Sequence, residues 1–258
     1  MNNILIKVEN LVKTFGGLVA LNDCSLEIKD KAITGIIGPN GSGKSTLFNV
    51  ITGNLKPDTG KVFYNGVEIT NEESHDLFHL GVLRTFQIAH EFSNMTVIEN
   101  LMVVPGNQKG ERLLYSLMNS QKIKKEDELI KDKAMEVLKF LKIEHLKNER
   151  AGNLSGGQKK LLELARTMMV DAKIVFLDEV GAGVNKTLLR DISDSIFKLN
   201  QDKGYTFCMI EHDFNFISEL CDPVIVLAEG SVLFKGSAEE VKSNEQVIES
   251  YLGKGLKK

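Results

Sequence analysis

The sequence is poor in the features that mark secreted or membrane-spanning chains. It has only three cysteines, Cys24, Cys208 and Cys221, an odd number with no C-x-x-C pair. This predicts reduced structural thiols and a cytoplasmic setting rather than a disulfide framework. The N-terminus carries Lys7 and Glu9 where a signal peptide needs a continuous apolar region. No apolar run approaches the roughly 18 residues that a membrane span requires, so any membrane role would be peripheral.

The chain also lacks a strong excess of charge of either sign. Thirty-two basic residues stand against 35 acidic ones, which leaves a formal net charge of −3. This balance argues against an electrostatic nucleic-acid binder and against a disordered acidic chain. With 258 residues, of which 42% are hydrophobic, the chain can bury a large core. We therefore expect one large α/β domain or a core with an inserted lobe.

One glycine-rich stretch fits the phosphate-loop pattern G-x-x-x-x-G-K-[ST] and follows the apolar run Ile33–Ile37. Its residues are Gly38, Pro39, Asn40, Gly41, Ser42, Gly43, Lys44, Ser45 and Thr46. In such a loop the backbone N–H groups converge on phosphate oxygens, and the next helix adds its positive N-terminal end. Lys44 would bind the outer phosphates and Ser45 would place its hydroxyl on Mg²⁺. A coincidental glycine-rich turn is the alternative, and the preceding strand and following helix argue against it.

A pair of carboxylates, Asp178 and Glu179, directly follows another apolar run at residues 174–177. This position is the end of a predicted central strand, where ligands bind in open α/β sheets. We expect Asp178 to hold the Mg²⁺ shell and Glu179 to orient the water that attacks the γ-phosphate. An Asp-Glu pair by itself is more often a solvated turn, but its place after four apolar residues favours the functional interpretation.

A second candidate phosphate-binding stretch lies far along the chain from the first. It reads Leu154, Ser155, Gly156, Gly157 and Gln158. The serine offers a hydroxyl, the glycines allow close backbone approach, and a helix beginning near Gln158 would point its N-terminus at an anion. An ordinary N-capped helix is the alternative. The stretch has no evident phosphate of its own to hold.

The order of predicted elements indicates one α/β core interrupted by helices. Strand-like runs within residues 1–30 suggest an antiparallel sheet edge. From residue 161 onward, apolar strands alternate with helices, which predicts a mainly parallel sheet flanked by helices. Helical spacing fills residues 89–153. We therefore expect a single domain over 1–258, in which 1–88 and 154–258 form the core and 89–153 is an inserted helical subdomain.

Together these motifs resemble the ATP-binding-cassette (ABC) ATPases over almost the whole chain. Residues 38–46 match the family's Walker A loop, 174–179 its Walker B strand and 154–158 its signature motif. The resemblance implies an α/β P-loop NTPase (RecA-like) core with an N-terminal antiparallel β subdomain and an inserted helical subdomain. It implies ATP hydrolysis with Mg²⁺. It also implies that the signature motif binds the γ-phosphate of a nucleotide held by a second, facing subunit.

The resemblance adds roles for single residues. Gln87 is similar to the Q-loop glutamine, which touches Mg²⁺ or the attacking water, and His212 to the switch histidine that contacts the γ-phosphate. Phe15 resembles the aromatic residue that stacks on adenine, and core packing is the open alternative. Gly183 and Asn185 fall in the D-loop, which reaches across the dimer, although the family more often has an aspartate at position 185.

Within the family, several stretches are similar to the ATPase subunits of branched-chain amino-acid importers. These are residues 15–22, 84–87, 95–101, 183–185 and 251–253. That group often carries an aromatic residue at position 156. Urea or amide importers and the lipopolysaccharide-export ATPase share much of the pattern, and a soluble ABC ATPase that works on ribosomes or DNA is a further alternative.

The resemblance also implies partners. They are a second ABC ATPase subunit, either a copy or a similar chain, integral membrane permease subunits and an extracytoplasmic substrate-binding protein, without nucleic acid. The expected location is the cytoplasmic face of the cell membrane. A groove beside Gln87 and residues 89–101 should receive a short permease helix, with Phe92, Met95 and Val97 as contacts. The chain stops soon after Gly253, from which we expect no appended regulatory domain.

Overall fold

The structure is a computed structural model and describes residues 3–85, 91–106, 108 and 120–252. Contacts group the chain into two compact units. The sheet unit consists of Met1–Gln87, Lys173–Ala182 and Ile196–Lys258, and the helical unit of Ile88–Ala172 and Gly183–Ser195. Besides residues 89–153, for which an inserted subdomain is predicted, the helical unit includes the chain up to Ala172 and the segment Gly183–Ser195.

The sheet unit contains two sheets. Its described strands are β1 (Ile4–Phe15), β2 (Leu18–Lys29), β3 (Ile33–Ile37), β4 (Thr59–Tyr64), β5 (Val67–Glu68), β6 (Val82–Arg84), β7 (Ile174–Asp178), β8 (Thr206–Ile210), β9 (Val224–Ala228) and β10 (Ser231–Gly236). The first sheet is antiparallel, with the order β2-β1-β4-β5. Phe15 pairs with Leu18 across a two-residue turn, so Phe15 lies at the tip of the β1–β2 hairpin.

The second sheet positions the functional residues. Its order is β10-β9-β3-β8-β7-β6, and all neighbours pair in parallel except β10 with β9. Every residue of β3, β7 and β8 is buried, as expected for strands covered on both faces. Because these strands are parallel, the residues that follow their carboxyl ends lie at the same edge of the sheet.

The core of the sheet unit joins residues of both sheets with the helix Lys44–Ile51. Phe48 of this helix packs edge-on against Phe176 of β7, with 5.0 Å between ring centroids. Such a pair adds about 0.5–1.5 kcal/mol beyond simple burial. This packing fixes the helix that carries the phosphate loop against the strand that carries the predicted carboxylates.

The helices are short except in three places. The described α-helices are Lys44–Ile51, Ser74–His79, Val97–Met102, Ser120–Phe140, Gly156–Met168, Lys186–Lys203, Phe214–Leu220, Ala238–Ser243 and Glu245–Leu252. In the helical unit, Ala134, Val137, Leu138 and Leu141 are buried, which confirms the predicted apolar face. Within the described ranges no helix is both long and apolar enough to cross a membrane.

Three features of the fold were not expected from the sequence. β1 and β2 are each 12 residues long, whereas only residues 5–9 and 25–29 had strand character. β10 and the two helices after it were also missed. β10 is mostly half-buried and the described residues of the two helices are mostly exposed, so none of these elements gives a long apolar run. The expected fold class, an α/β core with an antiparallel β subdomain, is confirmed.

Candidate functional site

A pocket at the carboxyl edge of the second sheet gathers most of the residues predicted to bind ATP. All of its lining belongs to the sheet unit. The lining residues are Phe15, Leu18, Val19, Ala20, Asn40, Gly41, Ser42, Gly43, Lys44, Ser45, Thr46, Glu179 and His212. The fold therefore brings the phosphate loop, the tip of the β1–β2 hairpin and two residues distant in sequence to one place.

Two glycines of the phosphate loop are required by their surroundings. A Cβ on Gly38 would lie 2.2 Å from the backbone oxygen of Leu227, and one on Gly43 would lie 2.4 Å from that of Ala20. Gly43 also has a φ of +98°, which a side chain would strain. The helix Lys44–Ile51 starts at Gly43 without a side-chain cap. Its first N–H groups are thus available to an anion such as phosphate.

Lys44 is a buried cation, and in the described part of the chain its side chain donates hydrogen bonds to backbone oxygens rather than to a carboxylate. Its ammonium group donates to the backbone oxygens of Gly38 at 2.8 Å and Pro39 at 3.0 Å. Burial lowers the pKa of Lys44, while the negative charges of Glu179 and Asp178 partly oppose the shift. Beside it, the hydroxyl of Ser42 is buried with no hydrogen-bond partner in the described part of the chain. A cation held by carbonyl groups and an unsatisfied hydroxyl fit a site for an anionic ligand.

Asp178 ends β7 and forms a buried ion pair. Its Oδ2 accepts a 2.7 Å hydrogen bond from Nη2 of Arg84, and both side chains are more than nine-tenths buried. Arg84 also donates to the side chain of Asn49. No sequence motif assigns a role to Arg84. Only its place at the end of β6, the parallel neighbour of β7, could have indicated the contact.

Glu179 and His212 meet over the pocket. His212 Nε2 lies 3.1 Å from Oε1 of Glu179. Glu179 has a φ of +50°, unusual for a residue with a side chain, and its N–H donates to the backbone oxygen of Ile210 at 3.0 Å. Both side chains line the pocket, where a positioned carboxylate can act as a general base on a bound reactant.

The hard oxygen donors expected for Mg²⁺ are present in the sheet unit. Ser45 lines the pocket and Asp178 provides a carboxylate at the end of β7. Mg²⁺ is usually bound by one or two protein oxygens together with substrate phosphates, so this donor set fits the ion. In the part of the chain that the structure describes, no cluster of three or more histidine, cysteine or acidic side chains forms a separate metal site. Gln87, the third predicted ligand, lies outside the described residues.

The signature stretch forms the start of the helix Gly156–Met168. Ser155 is its N-cap, and its hydroxyl accepts from the N–H of Gln158 while Gln158 Oε1 accepts from the N–H of Ser155. This is a capping box, so the interpretation as an N-capped helix describes the local structure correctly. The cap does not exclude anion binding, because Ser155 remains exposed at the helix N-terminus.

The two glycines of the signature stretch have different surroundings. A Cβ on Gly157 would lie 2.1 Å from Cδ2 of Leu188, so a side chain at this position would have to displace Leu188 within the helical unit. At Gly156 the nearest atom is the backbone oxygen of Gly183, 4.0 Å away. Close approach of an external group is thus possible at Gly156, whereas Gly157 serves internal packing.

The remaining predicted residues have separate settings. Phe15 is 48% exposed, which rules out the alternative that it packs in the core, and Lys13 lies 5.7 Å from its ring centroid. Gly183 has a φ of +72° and nothing near its Cβ position. Asn185 Oδ1 accepts a 3.0 Å hydrogen bond from the N–H of Leu188, so Asn185 stabilises the start of the following helix.

The chain is similar to known protein families and relatives. The family described as "ABC transporter" matches residues 21–182, and "Branched-chain amino acid ATP-binding cassette transporter" matches residues 231–257. The chain is 43% identical over 249 residues to the "Probable branched-chain amino acid transport ATP-binding protein LivG" of Archaeoglobus fulgidus. That match covers 96% of this chain and 95% of the relative.

Solved structures are similar over nearly the same length. An ATP-binding cassette of an ABC transporter in its ADP conformation matches with a TM-score of 0.82 and 40% identity, covering 97% of this chain and 99% of that one. A dimeric bacterial ABC transporter cassette matches with a TM-score of 0.73 and 25% identity, covering 91% of this chain and 99% of that one. The similarity thus extends through both the phosphate loop and the signature stretch.

Proposed function

The chain belongs to the ABC transporter family, and we propose that it is the ATP-hydrolysing subunit of an importer for branched-chain amino acids. The observation that carries the ATPase function is the pocket in which Lys44, Glu179 and His212 converge. The substrate class rests on the relative from Archaeoglobus fulgidus and on the family match at residues 231–257. The absence of a spanning helix in the described ranges is compatible with a peripheral subunit on the cytoplasmic face of the membrane.

In the proposed mechanism, the phosphate loop and Lys44 bind the phosphates of ATP. Ser45 and Asp178 would hold Mg²⁺, with Gln87 as a further ligand, and the ion would supply positive charge against the phosphates. Glu179 orients the attacking water and accepts its proton. His212, 3.1 Å from Glu179, keeps that carboxylate in place and contacts the γ-phosphate side of the pocket.

We propose that the site is completed by a second subunit. The signature stretch presents an exposed helix N-terminus and the open surface of Gly156, both suited to a phosphate. The similar dimeric cassette supports an arrangement of two such chains. ATP bound between a phosphate loop and the partner's signature stretch would favour the closed dimer, and hydrolysis would remove that preference. Gly183 and Asn185 are proposed to lie along the same interface.

Adenine is proposed to stack on Phe15. Replacing Phe15 with alanine should weaken ATP binding by about tenfold, since stacking on an aromatic side chain contributes about 1–3 kcal/mol per base. Titration with a fluorescent ATP analogue measures the effect. Phe15→Tyr, which keeps the ring, should bind as the wild type does, and binding of inorganic tripolyphosphate should be unchanged in both variants. Equal ATP affinity of Phe15→Ala and the wild type would refute stacking.

The permease is proposed to contact the helical unit at Phe92. Phe92 is 50% exposed, with the guanidinium of Arg166 5.5 Å from its ring centroid. Val97 is fully buried, so the prediction that it contacts the permease directly is wrong. Single exposed apolar residues are common on protein surfaces, so the proposal rests on the place of Phe92 within residues 89–101, where the family resemblance predicts the contact with the permease.

A co-purification experiment tests the transporter function. The chain and the permease subunits encoded beside it are expressed together and extracted in detergent, and the wild type should purify with the permease. Phe92→Asp should lose this association and keep ATP binding. Leu129→Asp is the matched control, because Leu129 is a 64% exposed apolar residue of the same unit. Recovery of the wild type only with ribosomes or DNA would contradict a role in transport.

A further inference from the structure

The structure contains a buried carboxylate next to the reacting residues that the proposed mechanism does not use. Glu211 directly follows β8 and is only 4% exposed. Its Oε1 accepts a 2.8 Å hydrogen bond from the backbone N–H of Gly181. Burial raises the pKa of Glu211, the N–H groups of Gly181 and His212 lower it, and the charge of Glu179 raises it further. A carboxylate is costly in such a place, so its contact with Gly181 calls for a functional reason.

The N–H that Glu211 binds belongs to the turn that presents Glu179. The N–H of Ala182 donates to the backbone oxygen of Glu179 at 3.2 Å, which closes the turn directly after β7. Glu179 itself has the left-handed φ of +50°, a conformation that persists only when the surroundings hold it. The turn therefore needs anchors outside its own sequence.

Three contacts tie this turn to the last residue of β8 and the two residues that follow it. The N–H of Glu179 donates to the oxygen of Ile210 at 3.0 Å, and Glu179 Oε1 lies 3.1 Å from His212. The carboxylate of Glu211 supplies the third contact, at Gly181. In the sequence, Glu211 lies between Ile210 and His212, which both contact Glu179 at the start of the turn. Glu211 itself contacts Gly181, two residues further along the turn. Without it, the N–H of Gly181 would lose its recorded acceptor.

We propose that Glu211 is a positioning residue for ATP hydrolysis, which holds the turn 179–182 so that Glu179 stays oriented towards the pocket and His212. The role rests on the proposed function, because it matters only if Glu179 acts on water. The interaction needs a hydrogen-bond acceptor at this point and does not need a negative charge. That distinction can be tested with two side chains of similar length.

Glutamine keeps an acceptor oxygen and methionine removes it. Glu211→Gln should therefore retain kcat, whereas Glu211→Met should lower kcat by about 10- to 100-fold, the loss typical of a misplaced reacting group. The KM for ATP should stay unchanged in both, because Glu211 does not line the phosphate loop. Hydrogen exchange of the peptide that carries Gly181 should accelerate in Glu211→Met and not in Glu211→Gln.

Asn200 provides the matched control. It is also a buried polar residue of the sheet unit, and its side-chain nitrogen donates to the backbone oxygens of Lys31 at 2.9 Å and Tyr205 at 2.8 Å. Asn200→Leu should lower the melting temperature and leave kcat unchanged. A similar loss of kcat in this variant would attribute the effect of Glu211→Met to general destabilisation and overturn the proposal.

Two further outcomes would overturn it. Wild-type kcat in Glu211→Met would show that the contact is dispensable, and equal losses in Glu211→Gln and Glu211→Met would show that charge is what matters. Failure of the proposed function has a different signature. In that case the wild type and Glu179→Gln have the same ATPase rate.

Discussion

Replacing Glu179 with glutamine is expected to reduce ATP hydrolysis by about 10²- to 10⁴-fold, the usual contribution of a positioned general base. The amide has nearly the shape of the carboxylate but cannot accept a proton from water. ATP affinity should be unchanged, because Lys44 and the phosphate loop remain intact. Since ATP would bind without being hydrolysed, the variant should accumulate as an ATP-bound dimer, which size-exclusion chromatography detects together with a phosphate-release assay.

Glu229 offers a matched control for this substitution. It is also a glutamate with a φ of +50°, but it is exposed and does not line the pocket. Glu229→Gln should hydrolyse ATP at the wild-type rate. A wild-type rate in Glu179→Gln as well would exclude Glu179 as the base and contradict the proposed mechanism.

Replacing Ser155 with arginine is expected to abolish both ATP hydrolysis and ATP-driven dimerisation, while ATP still binds at Lys44. Ser155 is exposed at the start of its helix, so a long cation there would occupy the space proposed for the γ-phosphate of a facing subunit. The loss of the N-cap itself costs only about 1 kcal/mol. That cost is too small to explain a complete loss of activity in a folded protein.

A control substitution at Ser237 distinguishes the loss of a helix cap from the loss of a phosphate site. Ser237 caps the helix Ala238–Ser243 with the same capping box, in which Glu240 takes the place of Gln158. Ser237→Arg should lose similar stability in thermal unfolding and keep its hydrolysis rate. Equal loss of hydrolysis in both variants would point to cap removal rather than to a phosphate site.

Much of the fold could be predicted because the responsible signals are local. β3, β7 and β8 are short apolar runs, and complete burial of all their residues explains why they have no alternation. The phosphate loop was equally clear, since its pattern lies within nine consecutive residues, 38–46, directly before the helix that starts at Gly43. The contacts that exclude a side chain at Gly38 and Gly43 come from Leu227 and Ala20, which the pattern does not show.

Other features depend on partners that are distant in sequence. β1 and β2 pair with several register shifts, which interrupt the polar and apolar alternation that identifies a strand. Arg84 and Glu211 are charged residues that sequence patterns place at the surface. They are buried because Asp178 and Gly181 come to them from remote parts of the chain. The sequence around Arg84 and around Glu211 does not indicate these contacts with distant residues.

The most direct test of the account is a mixing experiment with two variants that are each expected to be inactive. Lys44→Ala lacks the phosphate contact and Ser155→Arg lacks the signature contact. In a symmetric dimer, a one-to-one mixture should form mixed dimers in which one of the two sites is intact, and should recover about a quarter of the wild-type ATPase rate. A mixture no more active than the separate variants, or an active Ser155→Arg protein alone, would contradict a site shared between two subunits.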